Sequence, residues 1–410
     1  MSRNSVNIVG AGIAGLSTAF HLAERGAGSI TLLDKDRVGT GSSIRSGAVN
    51  TMLMDNAAAT MARGISFDIF ERFDSLLPEY DFHQVGCLAL YTPEQFAVAA
   101  KLHAMHVSAG AQFEILRRTE IEARFDDLRL RDEEIGVLDL RGGWSEPDRY
   151  IPALKQKVVE LGVRIREACV VEDFLVESGE VRGVLLRGGE ELRSDFTVCT
   201  VNSWANTLLS RVGQPLPIRN FVHERFVTRP FDEPPIVPAT NDNSHGVYYR
   251  PTEDGRLLLG TGALEPEQVP LPGIDLLLED LEPNAGSITF IADAVRERLP
   301  RLAAAPLVAH RVGLVSYPID FVPNIGPVKA LPGLQIATNF CSGGFGYHPV
   351  AGLLLAEYIV DGKTSIDAAI FSPDRFGDFD TKSYLAQEVT HARMVDELPA
   401  GRPEFVRKKH

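Results

Sequence analysis

The sequence predicts an α/β fold in which a domain with a parallel sheet is interrupted by a second domain with a mostly antiparallel sheet. Three stretches carry this prediction. Residues 6–34 follow the order strand, glycine-rich turn, helix, strand. Residues 218–262 contain strands in which apolar and polar residues alternate, with a hairpin turn at residues 253–255. Residues 339–362 join a glycine cluster to a strongly apolar helix.

The composition of the chain excludes several classes of protein. Its 410 residues are 44% hydrophobic and 23% charged, which is typical of a globular chain large enough for two domains. A net charge of −14 argues against a nucleic-acid partner. No apolar run reaches the roughly 20 residues that span a bilayer, and the first strand begins too early for a secretory apolar segment. The four cysteines are widely spaced, so we expect a cytoplasmic protein without a metal site.

The first strand, residues 6–9, runs into a GxGxxG motif formed by Gly10, Gly12 and Gly15. In a dinucleotide-binding fold the first glycine permits a tight turn, and the second lets backbone N–H groups approach a pyrophosphate. The third glycine lets the helix pack closely on the strand. Asp34 ends the second strand, where a carboxylate accepts hydrogen bonds from a ribose. The stretch therefore predicts a Rossmann-like domain that binds a dinucleotide, either NAD or FAD.

The loop that follows distinguishes these two cofactors through a resemblance. Residues 38–50, VGTGSSIRSGAVN, resemble the flavin-contacting segment of the D-amino acid oxidase-like FAD proteins. That group contains glycine oxidase, sarcosine oxidase and dimethylglycine dehydrogenase. In the family, backbone and hydroxyl groups of this segment meet the pyrophosphate and the flavin ring, and Ser42, Ser43 and Arg45 stand at the matching positions. The resemblance covers about residues 5–380 and implies FAD as the cofactor.

Later segments support the same resemblance. Val170 matches the residue that brackets the adenine in the family. Asn202 replaces a glycine of the family's strand-turn-helix segment, and asparagine is the next best residue for left-handed backbone. The residues expected to contact FAD are Gly10, Gly12, Ile13, Ala14, Gly15, Asp34, Lys35, Ser42, Ser43, Arg45, Ser46, Val170, Asn202, Trp204, Gly313, Gly343, Gly344, Phe345, Gly346 and Tyr347.

The resemblance also divides the chain into domains. It implies a discontinuous FAD-binding domain that consists of residues 1–86, 141–215 and 310–380. A substrate-binding domain is expected to consist of residues 87–140 and 216–309. Residues 381–410 exceed the family pattern and are expected to form a C-terminal extension.

The glycine cluster NFCSGGFGYHP, residues 339–349, matches a family segment that contacts the flavin. We expect a helix over residues 349–362, with Pro349 in its first turn. The free N–H groups of the turn Gly343–Tyr347 can then face the flavin C2 carbonyl, where the reduced ring carries negative charge.

The family chemistry predicts the activity. A deprotonated amine passes a hydride to flavin N5 and becomes an imine, which water hydrolyses. We therefore predict a FAD-dependent oxidoreductase that oxidises a C–N bond of an amine or N-substituted amino acid. Its electron acceptor is expected to be O2 or another acceptor, and both a monomer and an oligomer are compatible with the sequence. Two alternatives remain: oxidation of a hydroxy acid by the same fold, and a noncatalytic flavoprotein or subunit of a larger complex. The glycine cluster lacks the Gly-Asp pair of flavin-dependent aromatic hydroxylases, which disfavours that class.

Four residues are expected to face the reacting atoms. Tyr248 matches a tyrosine that contacts substrate in several relatives, and His348 could orient or deprotonate an amine. Tyr317 and Arg45 complete this set of candidate catalytic residues, and His223 is a further polar candidate.

The chain departs from the family where relatives bind a substrate carboxylate. Val315 replaces the arginine of one anchor, and a second cation of some members falls on Ser342 or Gly346. A buried carboxylate without a cationic partner is costly. Either the substrate presents no α-carboxylate there, or another arginine holds it; the candidates are Arg45, Arg225, Arg250 and Arg311.

Two further departures concern the flavin. Arg45 stands where one branch of the family has a flavin-linking histidine, and no cysteine occurs at residues 313–315, so we expect FAD to bind without a covalent bond. Leu258 stands where monomeric sarcosine oxidases carry a lysine that promotes reaction with O2. The sequence therefore does not decide between an oxidase and a dehydrogenase.

Overall fold

The strands and helices of a computed structural model define the fold, and they are described for residues 4–261, 268–270, 273–282, 284, 286–304 and 306–388. The strands are β1 (Val6–Val9), β2 (Ile30–Leu33), β3 (Val49–Asn50), β4 (Cys87–Tyr91), β5 (Phe113–Arg117), β6 (Ile135–Asp139), β7 (Gly143–Trp144), β8 (Arg164–Arg166), β9 (Val171–Glu177), β10 (Glu180–Leu186), β11 (Glu191–Arg193), β12 (Phe196–Cys199), β13 (Ile218–Thr228), β14 (Ala239–Asp242), β15 (Val247–Pro251), β16 (Leu257–Thr261), β17 (Gln268–Val269), β18 (Leu307–Pro318), β19 (Asn324–Pro327) and β20 (Leu334–Thr338). The helices are α1 (Ile13–Glu24), α2 (Ala57–Leu76), α3 (Pro93–Ala99), α4 (His103–Ser108), α5 (Arg118–Arg124), α6 (Pro147–Glu160), α7 (Ala205–Leu209), α8 (Ser287–Arg296), α9 (Gly344–Val360) and α10 (Thr381–Leu385).

The first large sheet has the strand order β19-β20-β12-β1-β2-β8. Its strands pair in parallel except for β19, which runs antiparallel to β20. Helices α1 and α9 pack together with no room for a larger residue at Gly352, since an added Cβ would lie 2.5 Å from Ser17 Oγ. Loops at the carboxyl ends of the parallel strands are the usual ligand sites of such sheets.

The second large sheet contains nine strands in the order β17-β13-β16-β15-β14-β4-β6-β5, with β18 also paired to β13. Only the β4–β14 pairing is parallel among the pairings of the described strands, and the others are antiparallel. Strands β15 and β16 form the hairpin expected around residues 253–255. The α/β class and the mostly antiparallel second sheet are confirmed.

The predicted domain boundary at residue 310 falls inside β18. This strand pairs with β13 along its whole length, from the Thr228–Leu307 pair to the Ile218–Pro318 pair. Its hydrogen bonds place it in the nine-stranded sheet, whereas the predicted boundary places residues 310–318 in the FAD-binding domain. The strand also carries Gly313 to the boundary between the two large sheets, beside Arg45.

The length and polarity of the helices decide whether any of them could span a membrane. Within the described residues no helix is both long enough and apolar enough to cross a bilayer.

Candidate functional site

The GxGxxG motif lies between the end of β1 and the start of α1, at the edge of a cleft. Gly10 has a φ of +102°, which L side chains rarely adopt, and a Cβ at Gly15 would lie 1.9 Å from the Gly10 carbonyl oxygen. The N-cap residue of α1, Gly12, has no side chain to cap the helix, and the first turn contains no acidic residue. Ser43 Oγ accepts a hydrogen bond from the Ile13 N–H at 3.1 Å, so the other N–H groups of the first turn and the positive end of the helix dipole remain for a phosphate.

Asp34 is held in the same cleft by backbone donors. Its Oδ2 accepts a hydrogen bond from the Ala11 N–H at 2.7 Å, and its Oδ1 accepts one from the Asp36 N–H at 2.9 Å. Burial raises the pKa of this carboxyl, while the two N–H groups oppose that shift. Each oxygen keeps a further lone pair, so the fixed carboxylate can accept hydrogen bonds from ribose hydroxyls.

The wall of this cleft contains many of the residues expected to contact FAD. The predicted residues that line it are Gly10, Gly12, Asp34, Lys35, Ser42, Ser43, Val170, Asn202 and Trp204. Asn202 has a φ of 45°, which fits a residue that replaces glycine in a left-handed turn. Thr200, which the sequence did not single out, also lines the cleft and donates to the Gly10 carbonyl at 2.8 Å. These groups suit the adenosine and pyrophosphate of FAD.

A strap, defined here as residues 273–279, forms the opposite wall of the cleft. Lys35 Nζ donates to the carbonyls of Ile274 at 2.9 Å and Leu276 at 2.7 Å. The same ammonium lies 4.3 Å from the ring centroid of Trp204, whose Nε1 donates to the Gly273 carbonyl at 3.2 Å. Lys35 and Trp204 therefore hold the strap over the cleft that they line. The sequence did not indicate the strap, because its contacts are made by backbone carbonyls, which any residue can supply.

A second pocket opens beside the cleft and shares Gly12, Ser42, Ser43, Thr200 and Asn202 with it. It would receive the flavin ring and the substrate if the nucleotide occupied the cleft. Among the described residues that line it, none is acidic. The other predicted residues in its wall are Ile13, Ala14, Arg45, Ser46, Tyr248, Gly313, Gly344 and Phe345.

Tyr248 and His223 form the side of this pocket that belongs to the nine-stranded sheet. The Tyr248 ring packs between two glycines: an added Cβ would lie 2.3 Å from it at Gly47 and 2.1 Å from it at Gly260. The His223 and Tyr248 rings stack with centroids 5.9 Å apart. Burial lowers the pKa of His223 to about 4 and raises the pKa of Tyr248 to about 12. Both side chains are therefore uncharged at neutral pH.

Three of the arginines considered as carboxylate anchors bind backbone carbonyls of the loop of residues 44–47. Each donates to a different carbonyl: Arg311 to Ile44 at 3.1 Å, Arg225 to Ser46 at 2.7 Å and Arg250 to Gly47 at 2.6 Å. Arg250 is fully buried and also pairs with Glu146 at 3.2 Å. These arginines join the nine-stranded sheet to the loop that lines the second pocket.

Arg45, which was expected to serve both FAD and the reaction, lines the second pocket. Its Nη1 donates to the carbonyls of Thr40 and Gly41, and its Nη2 pairs with Glu279 of the strap at 2.5 Å. The guanidinium thus links the loop to the strap. Because the Glu279 carboxylate already pairs with this guanidinium, Arg45 is less available to bind a substrate carboxylate.

The helix after the glycine cluster starts earlier than expected. Helix α9 begins at Gly344, so Pro349 lies inside it rather than in its first turn. Proline has no N–H to donate to the carbonyl four residues earlier, that of Phe345. His348 Nδ1 donates to this carbonyl at 2.8 Å, and its Nε2 accepts from the Tyr150 hydroxyl at 2.6 Å. His348 is fully buried, and burial lowers its pKa to about 3, so this position favours a structural role over the catalytic role expected.

The unusual backbone of the cluster occurs at residues other than its glycines. Asn339, Cys341 and Ser342 have φ values of 61°, 51° and 64°. Non-glycine residues rarely adopt this conformation, and such strain is often found at functional sites. Ser342 and Cys341 both line the second pocket.

Several predicted residues lie behind the two pocket walls. Gly15 packs against β1, and Gly346 faces the Arg63 guanidinium, where an added Cβ would lie 1.1 Å from Nη1. Tyr317 packs beside Phe221 and Phe321, and burial raises its pKa. The predicted residues that line neither pocket are Gly15, Tyr317, Gly343, Gly346, Tyr347 and His348.

Comparison with known proteins agrees with this geometry. The model of the FAD dependent oxidoreductase family, DAO, matches residues 5–358. Glycine oxidase of Pseudomonas putida is 26% identical over 392 residues, which cover 91% of this chain and 99% of that protein. The 4-methylaminobutanoate oxidase (formaldehyde-forming) of Paenarthrobacter nicotinovorans is 26% identical over 92% of this chain, which spans only 46% of that protein. The L-proline dehydrogenase structure from P. horikoshii superimposes with a TM-score of 0.84 at 23% identity, covering 91% of this chain and 98% of that one.

Proposed function

Because the chain belongs to the DAO family of FAD-dependent oxidoreductases, we propose that it oxidises a C–N bond of an amine or N-substituted amino acid. The second pocket carries this proposal. It adjoins the nucleotide cleft, its wall at His223 and Tyr248 is uncharged, and its described lining residues include no acid. The names of the curated relatives, a glycine oxidase and a 4-methylaminobutanoate oxidase, support an amine substrate.

The cleft fits FAD through its own residues. The first turn of α1, together with the Ser43 hydroxyl bound to its first N–H, would bind the pyrophosphate, and Asp34 would accept hydrogen bonds from the adenosine ribose. The loop that contains Ser42 and Ser43 would adjoin both the pyrophosphate and the ring, because these serines line both pockets. Bound FAD supplies the hydride acceptor, and the protein supplies position and electrostatics.

The pocket selects the protonation state of the amine. An ammonium ion buried without a carboxylate partner is unfavourable, and the described residues of this pocket include the cation Arg45 but no acid, so the pocket favours the deprotonated amine. Only that form has the nitrogen lone pair that assists departure of a hydride from the adjacent carbon. We assign His223 and Tyr248 to hydrogen bonds with the substrate, and the stacking and glycine contacts hold their rings in place.

The same observation distinguishes amines from hydroxy acids. Oxidation of an alcohol needs a base that takes the hydroxyl proton. His223, with a pKa lowered to about 4, is a weak base, and the described lining residues offer no carboxylate instead. An amine needs no such base once it binds uncharged. The pocket therefore favours C–N over C–O oxidation.

The proposal extends to the electron acceptor and the cellular location. We propose that O2 or another acceptor reoxidises the flavin in the cytoplasm. Leu258, at the position where monomeric sarcosine oxidases carry a lysine, is buried in β16, and the four cysteines are not joined in disulfides. Reoxidation rates with O2 and with a quinone or ferricenium acceptor separate an oxidase from a dehydrogenase.

Anaerobic flavin bleaching tests the proposal. The yellow protein is mixed with primary amines, N-methyl amino acids, cyclic secondary amino acids and hydroxy acids. We expect bleaching by one or more of the secondary amines and none by hydroxy acids. Glycine and D-alanine should bleach the flavin slowly, because Val315 replaces the arginine anchor. A Tyr248→Phe variant should bleach more slowly than a variant at the surface residue Arg72.

The outcomes separate the alternatives. Bleaching by hydroxy acids alone would transfer the assignment to C–O oxidation. A flavin that no substrate bleaches, while dithionite reduces it, would indicate a noncatalytic flavoprotein. Acid precipitation should release FAD into the supernatant, and flavin in the pellet would contradict noncovalent binding.

A further inference from the structure

Arg63 of α2 is a buried cation with an unusual set of contacts. The residue is 4% exposed, and its Nη1 donates to the Gly343 carbonyl at 3.1 Å. Its guanidinium lies 4.6 Å from the ring centroid of Tyr347, and its buried Nε has no hydrogen-bond partner among the described residues. Within the part of the chain that the structure describes, Arg63 forms no ion pair, whereas buried Arg298 pairs with Glu134 at 2.7 Å.

This guanidinium occupies the space of the missing side chain at position 346. An added Cβ at Gly346 would lie 1.1 Å from Arg63 Nη1, so the observed position of the Arg63 guanidinium requires glycine at 346. The sequence has no cation on the glycine cluster itself. The fold instead brings a cation to the first turn of α9 from another helix.

The turn that Arg63 contacts reaches the second pocket. Its residues Ser342, Gly344 and Phe345 line the pocket, while Gly343 and Tyr347 bind the guanidinium on the other side. The described first turn of α9 contains no acidic residue, and the helix dipole adds positive potential at the same end. Burial of an unpaired guanidinium is costly. Burial lowers the pKa of Arg63, and the buried Asp139 carboxylate partly opposes this shift. A negative charge that enters the pocket would be stabilised further by the positive potential at this turn.

We propose that Arg63 is the counter-charge for the negative charge that FAD acquires on reduction. A hydride carries two electrons and one proton, so the ring that accepts it gains one negative charge. Arg63 does not touch this charge but acts through the first turn of α9, as a residue that sets the potential at the ring. This inference rests on FAD binding and is independent of which amine is the substrate.

The experiment measures the oxidised flavin's affinity for sulfite, which forms an anionic adduct with the ring, and the two-electron midpoint potential. The holoproteins compared are the wild type, Arg63→Gln, Arg63→Lys and Gly346→Ala. Arg72→Met is the control, since Arg72 lies on the same helix but pairs with Glu24 at the surface. We expect Arg63→Gln and Gly346→Ala to weaken sulfite binding by about tenfold, the equivalent of about 30 mV for a two-electron couple. Arg63→Lys should restore part of this loss, and Arg72→Met should change sulfite affinity by less than about twofold because exposed charges are screened.

Two results would overturn this role. One is an Arg63→Gln holoprotein whose sulfite affinity and potential equal those of the wild type. The other is an Arg63→Gln holoprotein that binds carboxylate ligands more weakly while its midpoint potential stays unchanged. The positive charge of Arg63 would then serve to bind the substrate. If Arg63→Gln does not fold, equal sulfite affinities of the wild type and Gly346→Ala would refute the proposal. Because no amine is used, failure here is distinguishable from failure of the proposed reaction.

Discussion

A single missing N–H group at Pro349 determines the role of the residue before it. The Phe345 carbonyl that proline leaves unpaired is bound by His348, whose other nitrogen accepts from Tyr150, 198 residues away in the chain. Local chemistry could predict the roles of Gly15 and Asn202, because close packing and left-handed backbone are properties of one residue and its neighbours. It could not predict that His348 is buried, because the partner that binds its second nitrogen is distant in sequence.

Replacement of Gly15 by alanine tests the local part of this reasoning. The new Cβ would lie 1.9 Å from the Gly10 carbonyl oxygen, so the turn must open and lose its fit to the pyrophosphate. We expect FAD affinity to fall by more than about tenfold, measured by fluorescence titration of the apoprotein. Val159→Ala is the control, since Val159 lies on α6 with 52% of its surface exposed. Equal affinities of the two variants would contradict the close-packing role of Gly15.

Replacement of His348 by leucine tests its structural assignment. The Phe345 carbonyl and the Tyr150 hydroxyl would both lose a buried partner, so the free energy of unfolding should fall by about 2 kcal/mol or more. The rate of flavin bleaching by the best amine should stay within about a factor of two, because His348 lines neither pocket. A large loss of the bleaching rate at unchanged stability would restore the catalytic role. Urea unfolding and stopped-flow absorbance provide the two readings.

Elements from different parts of the chain meet at the nucleotide cleft and the second pocket. Ser42 Oγ donates to the Leu314 carbonyl of β18 at 3.0 Å, and the strap binds Lys35 and Trp204 through its carbonyls. The sequence indicated the first loop and β18 separately by resemblance. Their mutual contacts, and the strap as a whole, depend on backbone carbonyls that any residue can provide. Such contacts leave no pattern in a single sequence.

The strap should control how fast FAD leaves. Lys35→Met removes two hydrogen bonds to the strap and the contact with Trp204. Together these contribute on the order of 1–2 kcal/mol, so FAD release should be faster by about tenfold. Release is followed by flavin fluorescence after dilution into an excess of a scavenging apoflavoprotein. Lys155→Met, which alters a surface lysine paired with Glu167, should release FAD at the wild-type rate. An unchanged rate in Lys35→Met would show that the strap does not retain the cofactor.

Across the described part of the molecule, burial favours the uncharged form of histidines, and it does so most strongly at His21, His223 and His348. Burial lowers the pKa of His21 to about 3, that of His223 to about 4 and that of His348 to about 3, from 6.5 in each case. Between pH 6.5 and about 4 the unfolded chain therefore binds protons that the folded chain does not. Their contribution to stability is complete above pH 6.5 and is lost as the pH falls through this window.

A His21→Leu variant isolates one such contribution. It removes the protonation of one histidine in the unfolded state, so its free energy of unfolding should depend less on pH than that of the wild type. The difference in slope between pH 6 and 4.5 should approach about 1.4 kcal/mol per pH unit, the value for one proton. Chemical unfolding of the two apoproteins across this range gives the slopes. Parallel curves would contradict a neutral buried His21.

The three arginines that bind the loop of residues 44–47 have a consequence for how this enzyme could diversify. They hold main-chain oxygens, which every amino acid provides, and leave the side chains of the loop unconstrained by these bonds. Substitutions at these positions can therefore reshape the pocket without displacing the backbone that presents them. Directed evolution of new amine preferences should accordingly tolerate variation at Ser46, which lines the pocket, far better than variation at Arg225 or Arg250.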